Sequence, residues 1–453
     1  MSATAETHEH HGVVGPLLRL ALPVLAEQLL YMLVGLSDTF MAGQYLETPH
    51  LAAMNLMNYL LWLLTSLTGF VGIGATAMIA RFMGASDAPM ARRVLHQSLL
   101  LAAALGFVLT TLLALLGPAL VRVMQLEPPA DALAIRYLGY LVPVVPLMMF
   151  DSIGIACLRG AGDMVTGLAS MTLVNLVNTS LSFSLLVGLG PLPKLGWDGL
   201  AIGTATGHLV GGLFILAMLA RGRRGLRLSW PLFRFDRDLC RRVLKIGLPG
   251  GCDALFVVTC HLTYVSMINS LGEVAAAAHG VAVRVESFSY LPGTAFQLAA
   301  TTLVGQYLGA RQLRRARHSV WMSCLWGAGL MSLAALGFGL GATQFAGVFI
   351  RREEAALIAQ TARLLRIVAL ATPSLALTMI LHGALRGAGD TRWPLAINLF
   401  GLALVRLPAA WLFSHTLGYG VEGAYWAMVM DLGVRSLAAS YRFRHGGWHE
   451  IEV

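Results

Sequence analysis

Long apolar runs, separated by short polar segments, dominate the pattern of this 453-residue chain. A membrane-spanning helix needs roughly 20 mostly apolar residues, so each run of that length is a predicted span. We count twelve, six in each half of the chain. They lie near residues 17–42, 51–80, 94–117, 134–157, 166–188, 199–220, 242–270, 275–303, 319–341, 362–385, 393–417 and 421–441. The pattern predicts an all-α integral membrane protein with twelve transmembrane helices.

The two halves of the chain repeat one another. Leu158–Asp163 reads LRGAGD, and the same six letters recur at Leu385–Asp390 after a shift of 227 residues. Leu22-Pro23 is repeated as Leu248-Pro249 with a shift of 226, and two more pairs of short motifs keep nearly the same spacing. A duplicated membrane chain predicts two pseudo-symmetric six-helix bundles, which is a common plan of alternating-access transporters.

The repeat and the loops between spans predict the domains. We expect an N-lobe at 15–220 with helices 1–6 and a C-lobe at 242–441 with helices 7–12. An arginine-rich linker, 221–241, joins them, and the tails are 1–14 and 442–453. The glycines of LRGAGD suit the end of a helix, and the aspartate that follows them suits the cap of the next helix.

Composition and charge support a membrane class and indicate an orientation. Hydrophobic residues make up 57% of the chain and charged residues 12%, and the mean hydropathy is +0.70. With the N-terminus inside, the inner segments hold 23 of the 32 lysines and arginines and the outer segments hold 7. This bias predicts cytoplasmic termini in a multi-pass protein of the cell inner membrane. The net charge of +9 then fits loops that face anionic lipid, not nucleic acid.

No motif of an enzyme or of a bound cofactor is found. The five cysteines have no metal or redox spacing, and paired catalytic groups such as H-E-x-x-H are absent from the sequence. We therefore expect a non-enzyme without a cofactor that acts as a monomer in the lipid bilayer.

Polar residues within predicted spans are candidates for function, because a charge at bilayer depth costs about 2.5–3.5 kcal/mol on insertion scales. Asp38 lies near the outer end of helix 1. Asn178 and Ser182 on helix 5 and Thr204 on helix 6 lie at comparable depth. These four residues form a predicted ion-coupling site. A carboxylate among neutral oxygens suits Na⁺, a desolvated carboxylate could instead carry a proton, and plain hydrogen bonding between helices is the third alternative.

A second group of residues is predicted to line a cavity or to take part in gating. Glu27 and Asp253 each follow a repeated proline by four residues, which favours a structural or gating role, such as bonding backbone freed by the proline, over ion coupling. Tyr264 occupies the position equivalent to Asp38. The other candidates are Asp151, Arg284 and Glu286.

Spacing predicts two relations between charged residues of the second half. Arg284 and Glu286 are separated by two positions and do not face each other on a helix, so each needs another partner. Asp431 and Arg435 are separated by four positions and should neutralise each other.

Several motifs together resemble the MATE (multidrug and toxic compound extrusion) family of the multidrug/oligosaccharidyl-lipid/polysaccharide flippase superfamily. They are Pro23 followed by Glu27, the stretch VGLSDTFMAG at Val34–Gly43, the doubled LRGAGD, and GQYLGA at Gly305–Ala310. The resemblance extends from about residue 15 to about residue 440.

The resemblance implies a transporter with two six-helix lobes around a central cavity. Such a protein exports cationic or amphipathic small molecules by antiport with H⁺ or Na⁺. Asp38 then matches the coupling carboxylate of helix 1, and Asn178 and Thr204 match the family's site, which makes these three the candidate Na⁺ ligands. Ser182 stands where many members have a second aspartate. One branch of the family has an aspartate on helix 10, but residues 367–384 of this chain contain no acid. Coupling is therefore expected in the N-lobe.

A lipid-linked oligosaccharide flippase of the same superfamily is the alternative. Such a flippase would be expected to line its cavity with several cationic residues. Within the predicted spans of this chain, only Arg284 and Arg406 are candidates for that role.

Overall fold

The computed structural model describes residues 3–124, 126–350 and 354–451, with side chains from residue 12 onward. Helices account for the regular structure of these residues, apart from one isolated bridge between Arg223 and Leu226. The first half contains α1 (Ala3–Tyr45), α2 (Thr48–Leu67), α3 (Gly69–Gly84), α4 (Ala88–Val123), α5 (Ala130–Leu141), α6 (Val145–Gly160), α7 (Val165–Val187) and α8 (Trp197–Arg221). The second half contains α9 (Arg237–Asn269), α10 (Glu273–Gly309), α11 (Leu313–Leu340), α12 (Ala342–Phe349), α13 (Ala355–Gly387), α14 (Arg392–Asn398), α15 (Leu407–Trp411) and α16 (Gly420–His445).

These helices form the twelve predicted spans. Among the described residues, nine segments are long and apolar enough to cross a membrane, or ten if α2 and α3, which meet at a bend of 41°, count as one. The remaining two, α10 and α16, are 37 and 26 residues long and carry ionisable side chains. The all-α membrane fold with two six-helix bundles is therefore confirmed.

Short irregular segments interrupt two predicted spans. A 3₁₀ turn at Val142–Val144 separates α5 from α6, and both it and the next turn begin with a proline that cannot donate a backbone hydrogen bond. The span Arg392–Thr416 contains π-helical turns at Leu399–Arg406 and Leu412–Thr416. The sequence predicted neither of these interruptions.

Contacts divide the chain into two compact units. One unit consists of residues 26–248, and the other combines residues up to 25 with those from 249 onward. The linker belongs to the first unit, where Gln97 of α4 donates to the Arg234 carbonyl (2.8 Å) and accepts from the Asp236 amide (3.0 Å). The predicted lobe limits follow the sequence repeat instead of these contacts, and they stay a prediction.

The predicted tails are partly helical. α1 begins at Ala3, so the helix runs through most of residues 1–14, whose first two positions lie outside the described residues. At the other end α16 continues to His445, and the ring of Trp448, which is fully buried, stacks on Phe443 with centroids 4.8 Å apart. Residues 452 and 453 also lie outside the described part.

Equivalent contacts occur in the two units. In the first, the Thr76 hydroxyl donates to the Ala156 carbonyl at 2.8 Å. In the second, the Thr301 hydroxyl donates to the Gly383 carbonyl at 2.8 Å. Each bond joins the helix that carries LRGAGD to a neighbouring helix, so the sequence repeat is also a repeat of packing.

The doubled LRGAGD ends a helix in each unit, as predicted. Gly162 and Gly389 have φ values of +80° and +88°, a left-handed conformation that glycine adopts at low cost. Asp163 then accepts the Thr166 amide at 3.1 Å, which confirms the predicted cap. Asp390 instead pairs with an arginine. We call the end of the first unit that carries Leu158–Asp163 its motif end.

Candidate functional site

Small residues allow α7 and α8 to approach closely. A Cβ atom added at Gly203 would lie 2.0 Å from the Ser182 hydroxyl, and one at Gly207 would lie 3.1 Å from the Val174 carbonyl oxygen. Glycines on this face of α8 recur every four residues, at Gly199, Gly203, Gly207 and Gly211. Such stripes of small residues are typical of close helix contacts in membranes. This contact brings the polar side chains of α7 and α8 together.

The structure joins Asp38, Asn178 and Thr204 in one buried cluster. The Thr204 hydroxyl donates to Asp38 Oδ2 at 2.9 Å. The Asn178 amide group lies 3.3 Å from Asp38 Oδ1 and 3.0 Å from the Thr204 hydroxyl oxygen. A fourth member, Tyr137 of α5, donates to the Thr204 hydroxyl oxygen at 2.8 Å. We call Asp38, Tyr137, Asn178 and Thr204 the Asp38 cluster.

The carboxylate of this cluster lies away from water without a cationic partner. Asp38 is 2% exposed, and no arginine, lysine or histidine of the described residues forms a salt bridge with it. Two neutral donors therefore compensate its charge, which is a modest compensation for a desolvated anion. Asn178 Oδ1 is also buried and without a partner among the described residues. The cluster can accept a proton, or it can present carboxylate, amide and hydroxyl oxygens to a hard cation.

Ser182 does not join the cluster. Its hydroxyl lies 3.4 Å from the Leu200 carbonyl of α8 and makes no hydrogen bond to Asp38. The position lies one turn beyond Asn178, where Gly203 brings the α8 backbone against the side chain. The predicted arrangement of four oxygens was therefore wrong in this member, and Tyr137 takes part instead.

Glu27 and Asp253 bind the arginines of the duplicated motifs. In the first unit, Arg159 donates to Glu27 Oε1 at 2.6 Å. In the second, Arg386 donates to Asp253 Oδ2 at 2.5 Å. The acids thus bind guanidinium groups. The sequence had instead suggested bonds to backbone groups freed by the prolines. The acid and the arginine are both duplicated, so the repeat alone could have indicated this pairing.

The aspartate of each motif forms a further ion pair. Asp163 lies 3.4 Å from Arg223, just past α8, and Asp390 lies 2.8 Å from Arg442 near the end of α16. Each LRGAGD therefore contacts both the first and the last helical segment of its own repeat.

Asp151 lies on α6 in the first unit and is largely buried. The Ser170 hydroxyl of α7 donates to its Oδ1 at 2.9 Å. Its backbone position, eight residues before Arg159, places it on the same face of α6 as the Glu27–Arg159 pair.

The second unit contains a chain of buried polar side chains. Arg435 donates to both oxygens of Asp431, at 2.9 and 2.7 Å, which confirms the predicted pair. Arg406 approaches the same carboxylate at 2.9 Å. Asn398 accepts from Arg435 at 3.0 Å and donates to Asp253 at 2.7 Å, so it links the two ion pairs. Sequence patterns gave no indication of Asn398 or of Arg406 as partners here.

Three other predicted residues, Tyr264, Arg284 and Glu286, belong to the second unit. Tyr264 is 2% exposed, its hydroxyl has no partner among the described residues, and the Arg406 guanidinium lies 5.7 Å from its ring centroid. Glu286 is buried, whereas Arg284 is exposed, which agrees with the prediction that the two side chains do not face each other. Tyr264 does not replace Asp38 as a proton-accepting carboxylate, so the two units differ in chemistry.

These observations define a multi-pass membrane protein built as a duplicated twelve-helix transporter fold. The MatE family model matches residues 23–184 and 251–412, once in each half. The chain therefore belongs to the MATE (multidrug and toxic compound extrusion) family of membrane transporters, as the sequence motifs had indicated.

Curated relatives and solved structures are similar along nearly the whole chain. The probable multidrug resistance protein NorM of Thermotoga maritima is 27% identical over 438 residues, which cover 96% of this chain and 93% of that protein. The multidrug resistance protein MdtK of Pectobacterium atrosepticum is 28% identical over 403 residues, with coverages of 88% and 87%.

Two solved structures share the fold. A multidrug resistance MATE family transporter in an outward-facing conformation superposes with a TM-score of 0.88 at 23% identity, covering 95% of each chain. The MATE transporter VcmN of Vibrio cholerae in its bent form gives a TM-score of 0.88 at 20% identity, with coverages of 97% and 98%.

Proposed function

We propose that this transporter exports cationic or amphipathic small molecules across the cell inner membrane in exchange for protons, with Asp38 as the coupling group. The observation that carries the proposal is the Asp38 cluster, a buried carboxylate with neutral donors and no paired cation. Relatives named as multidrug resistance proteins support the choice of substrate class. The arginine bias supports an orientation with both termini in the cytoplasm, and the monomer is the proposed transporting unit.

Protonation of Asp38 would change the bonds that hold three helices together. Hydrogen bonds to an ionised acceptor are roughly twice as strong as those between neutral groups. A proton on Asp38 weakens the bonds from Thr204 and Asn178, which join α1 to α8 and α7. Uptake of the proton from outside thus loosens these contacts, and its release inside restores them. This is the local event that would drive the alternation between two states.

A surface groove of the first unit supports the proposal that the substrate is amphipathic. The groove lies between α1 and α7 and has a volume of about 600 Å³. Its lining combines leucines and Phe40 with a few neutral polar groups, including Asn175, Thr179 and Ser180. Apolar walls with a few polar groups are typical of small-molecule sites.

Sodium is the second candidate for the coupling ion. Asn178 Oδ1, which is buried without a partner among the described residues, would face Asp38 after a half-turn of the amide group. This amide oxygen would then join the carboxylate of Asp38 and the hydroxyl of Thr204 as a third kind of Na⁺ ligand. Position 182 carries a serine, whose hydroxyl lies 3.4 Å from the Leu200 carbonyl, so the site supplies only the carboxylate of Asp38. A single negative charge favours the proton over Na⁺ as the coupling ion.

Export from liposomes that contain the purified chain tests the proposal. A fluorescent organic cation is the substrate, and a pH gradient or a Na⁺ gradient is imposed separately. We expect export with the pH gradient and its loss in Asp38→Asn, while that variant still binds the dye. Glu47→Gln, which removes an exposed acid just after α1, should export normally.

Two results would contradict parts of the proposal. Normal gradient-driven export by Asp38→Asn would show that Asp38 does not couple transport. Export driven by Na⁺ alone, and lost in Asp38→Asn, would assign the cluster to Na⁺. A flippase is not favoured, because Arg284 is exposed and Arg406 is paired with Asp431.

A further inference from the structure

The first unit contains a second buried acidic cluster nearer its motif end. It consists of Glu27 on α1, Asp151 and Arg159 on α6, and Ser170 on α7, and we call it the Asp151 cluster. Ser170 precedes Asn178 by eight residues, so at 1.5 Å per residue the Asp151 cluster lies roughly 12 Å from the Asp38 cluster along α7. The two clusters occupy different depths of the same bundle.

The Asp151 cluster has more acids than bases. Glu27 and Asp151 are 5% and 8% exposed, and Arg159 forms a salt bridge with Glu27 at 2.6 Å. Other ionisable residues on the helices packed around α6 lie outside the cluster: Arg81 on α3, Arg92, Arg93, His96 and Arg122 on α4, and Asp198, His208 and Arg221 on α8. With one guanidinium for two carboxylates, one buried negative charge stays uncompensated unless a proton binds.

The acid oxygens of the Asp151 cluster differ in their partners. Arg159 binds Glu27 Oε1, whereas Glu27 Oε2 is buried and has no partner among the described residues. Space for this oxygen comes from Gly167, where an added Cβ would lie 3.0 Å from it. Asp151 receives a single neutral donor, the Ser170 hydroxyl. Asp151 is therefore the group with least compensation for its charge, and Glu27 offers a free acceptor beside it.

An apolar layer separates the two clusters. Val34 of α1 and Met171 and Val174 of α7 form a small buried cluster, with Leu30 packed against it. Along one face of α7, Ser170, Val174 and Asn178 follow at intervals of four residues. The order on this face is thus polar, apolar and polar, and we call Val34, Met171 and Val174 the apolar seal.

We propose that Asp151 is a second proton-binding site of the first unit, and that the apolar seal controls proton transfer to it from Asp38. The proposal rests on the proposed proton coupling at Asp38. When the seal opens to water, Asp38 loses its proton and Asp151 gains it, so that the charge on each group changes by one. Asp151 then passes the proton by way of Glu27 Oε2 to the cytosol at the motif end. No other reactant is needed.

Counting protons tests the second site. The full-length chain in detergent is acidified from an alkaline buffer to about pH 6, above the range in which ordinary carboxyls bind protons, and an indicator dye reports the protons bound per protein. If both sites titrate, Asp38→Asn and Asp151→Asn should each remove one proton, and the double variant should remove both. Asp131→Asn, which neutralises an acid in the first turn of α5, is the control for a site outside both clusters.

Further variants keep the test decisive if Asp151→Asn does not fold. Asp151→Glu retains a carboxyl and should restore the lost proton. Ser170→Ala removes the donor to the charged form, so proton uptake at Asp151 should move to higher pH. In liposomes without substrate, Val174→Thr keeps the shape of the seal but adds a hydroxyl, and it should increase passive proton flux several-fold. Val187→Thr at the end of α7 should not.

The outcomes separate this proposal from the coupling role of Asp38. Unchanged proton uptake in Asp151→Asn, or an unmoved titration in Ser170→Ala, would overturn the second site while gradient-driven export still depends on Asp38. Loss of one proton in Asp151→Asn together with normal export by Asp38→Asn would retain the second site and refute coupling at Asp38. Equal fluxes in Val174→Thr and Val187→Thr would refute the seal.

Discussion

Replacing Thr204 by valine tests how the Asp38 cluster sets the pH range of transport. Thr204 donates to Asp38 Oδ2 at 2.9 Å, and valine has the same shape but no hydroxyl. A hydrogen bond to a charged group contributes about 1.5–3 kcal/mol. Only the difference between the ionised and the protonated form shifts proton binding, and a bond to a neutral group is about half as strong, so this difference is about 0.7–1.5 kcal/mol. At 1.36 kcal/mol per tenfold change in proton binding, it corresponds to about 0.5–1 pH unit.

The direction of this change follows from which form is stabilised. Thr204 stabilises ionised Asp38 more than protonated Asp38, so valine favours proton binding. Export by a proton-coupled transporter fails at high pH, where Asp38 no longer takes up a proton. In Thr204→Val this alkaline decline should therefore move to higher pH by about 0.5–1 unit.

The assay is steady-state export of a fluorescent cation from liposomes, with the pH on the proton-entry side varied. Thr206→Val is the matched control, because it makes the same change on α8 two positions along, where side chains point elsewhere. An unmoved decline, a decline moved to lower pH, or the same shift in both variants would refute the reasoning. A higher Na⁺ requirement without a pH shift would favour Na⁺ as the coupling ion.

Three further predictions concern packing, ion pairs and orientation. Gly203→Ala places a Cβ against the Ser182 hydroxyl and should destabilise the chain by about 1–3 kcal/mol. The measurement is thermal unfolding in detergent, and Gly139→Ala, which has open space around it, should leave the melting temperature unchanged. Arg386→Ala leaves the fully buried Asp253 without its cation and should cost about 3–5 kcal/mol, unlike Arg366→Ala at an exposed position; equal melting temperatures would contradict this. A reporter fused after Val453 should be active only in the cytoplasm, and activity on the outer side would reverse the predicted topology.

The spans and the duplication could be predicted from the sequence because both depend on patterns along one chain. Apolar length reports burial in lipid, and identical letters at a fixed shift report a repeated unit. The bend between α2 and α3 and the π-helical turns near Leu399 and Leu412 did not follow from these patterns. Such interruptions depend on tertiary packing, which averaged hydropathy does not record.

The candidate site was predictable only as far as depth and helix face could be read. Asp38, Asn178 and Thr204 share a depth, and the structure joins them. Ser182 shares that depth as well but meets the α8 backbone opposite Gly203, because rotation about the helix axis and the closeness of the neighbouring helix decide which group a side chain contacts. Tyr137 shows the converse limit, since a lone tyrosine in an apolar helix has no pattern that indicates a partner on α8.

The ion pairs of the duplicated motifs could have been predicted by comparing the two repeats, although no single position indicates them. An acid four residues after each repeated proline and an arginine in each LRGAGD keep shifts of 226 and 227 residues. Two charges of opposite sign that recur together at bilayer depth cannot both stay unpaired at tolerable cost, so each is expected to neutralise the other in its own unit. The pairs Glu27–Arg159 and Asp253–Arg386 follow this rule. Asp38 and Asp151 have no arginine repeated with them, and these are the two acids at which we propose that transported protons bind.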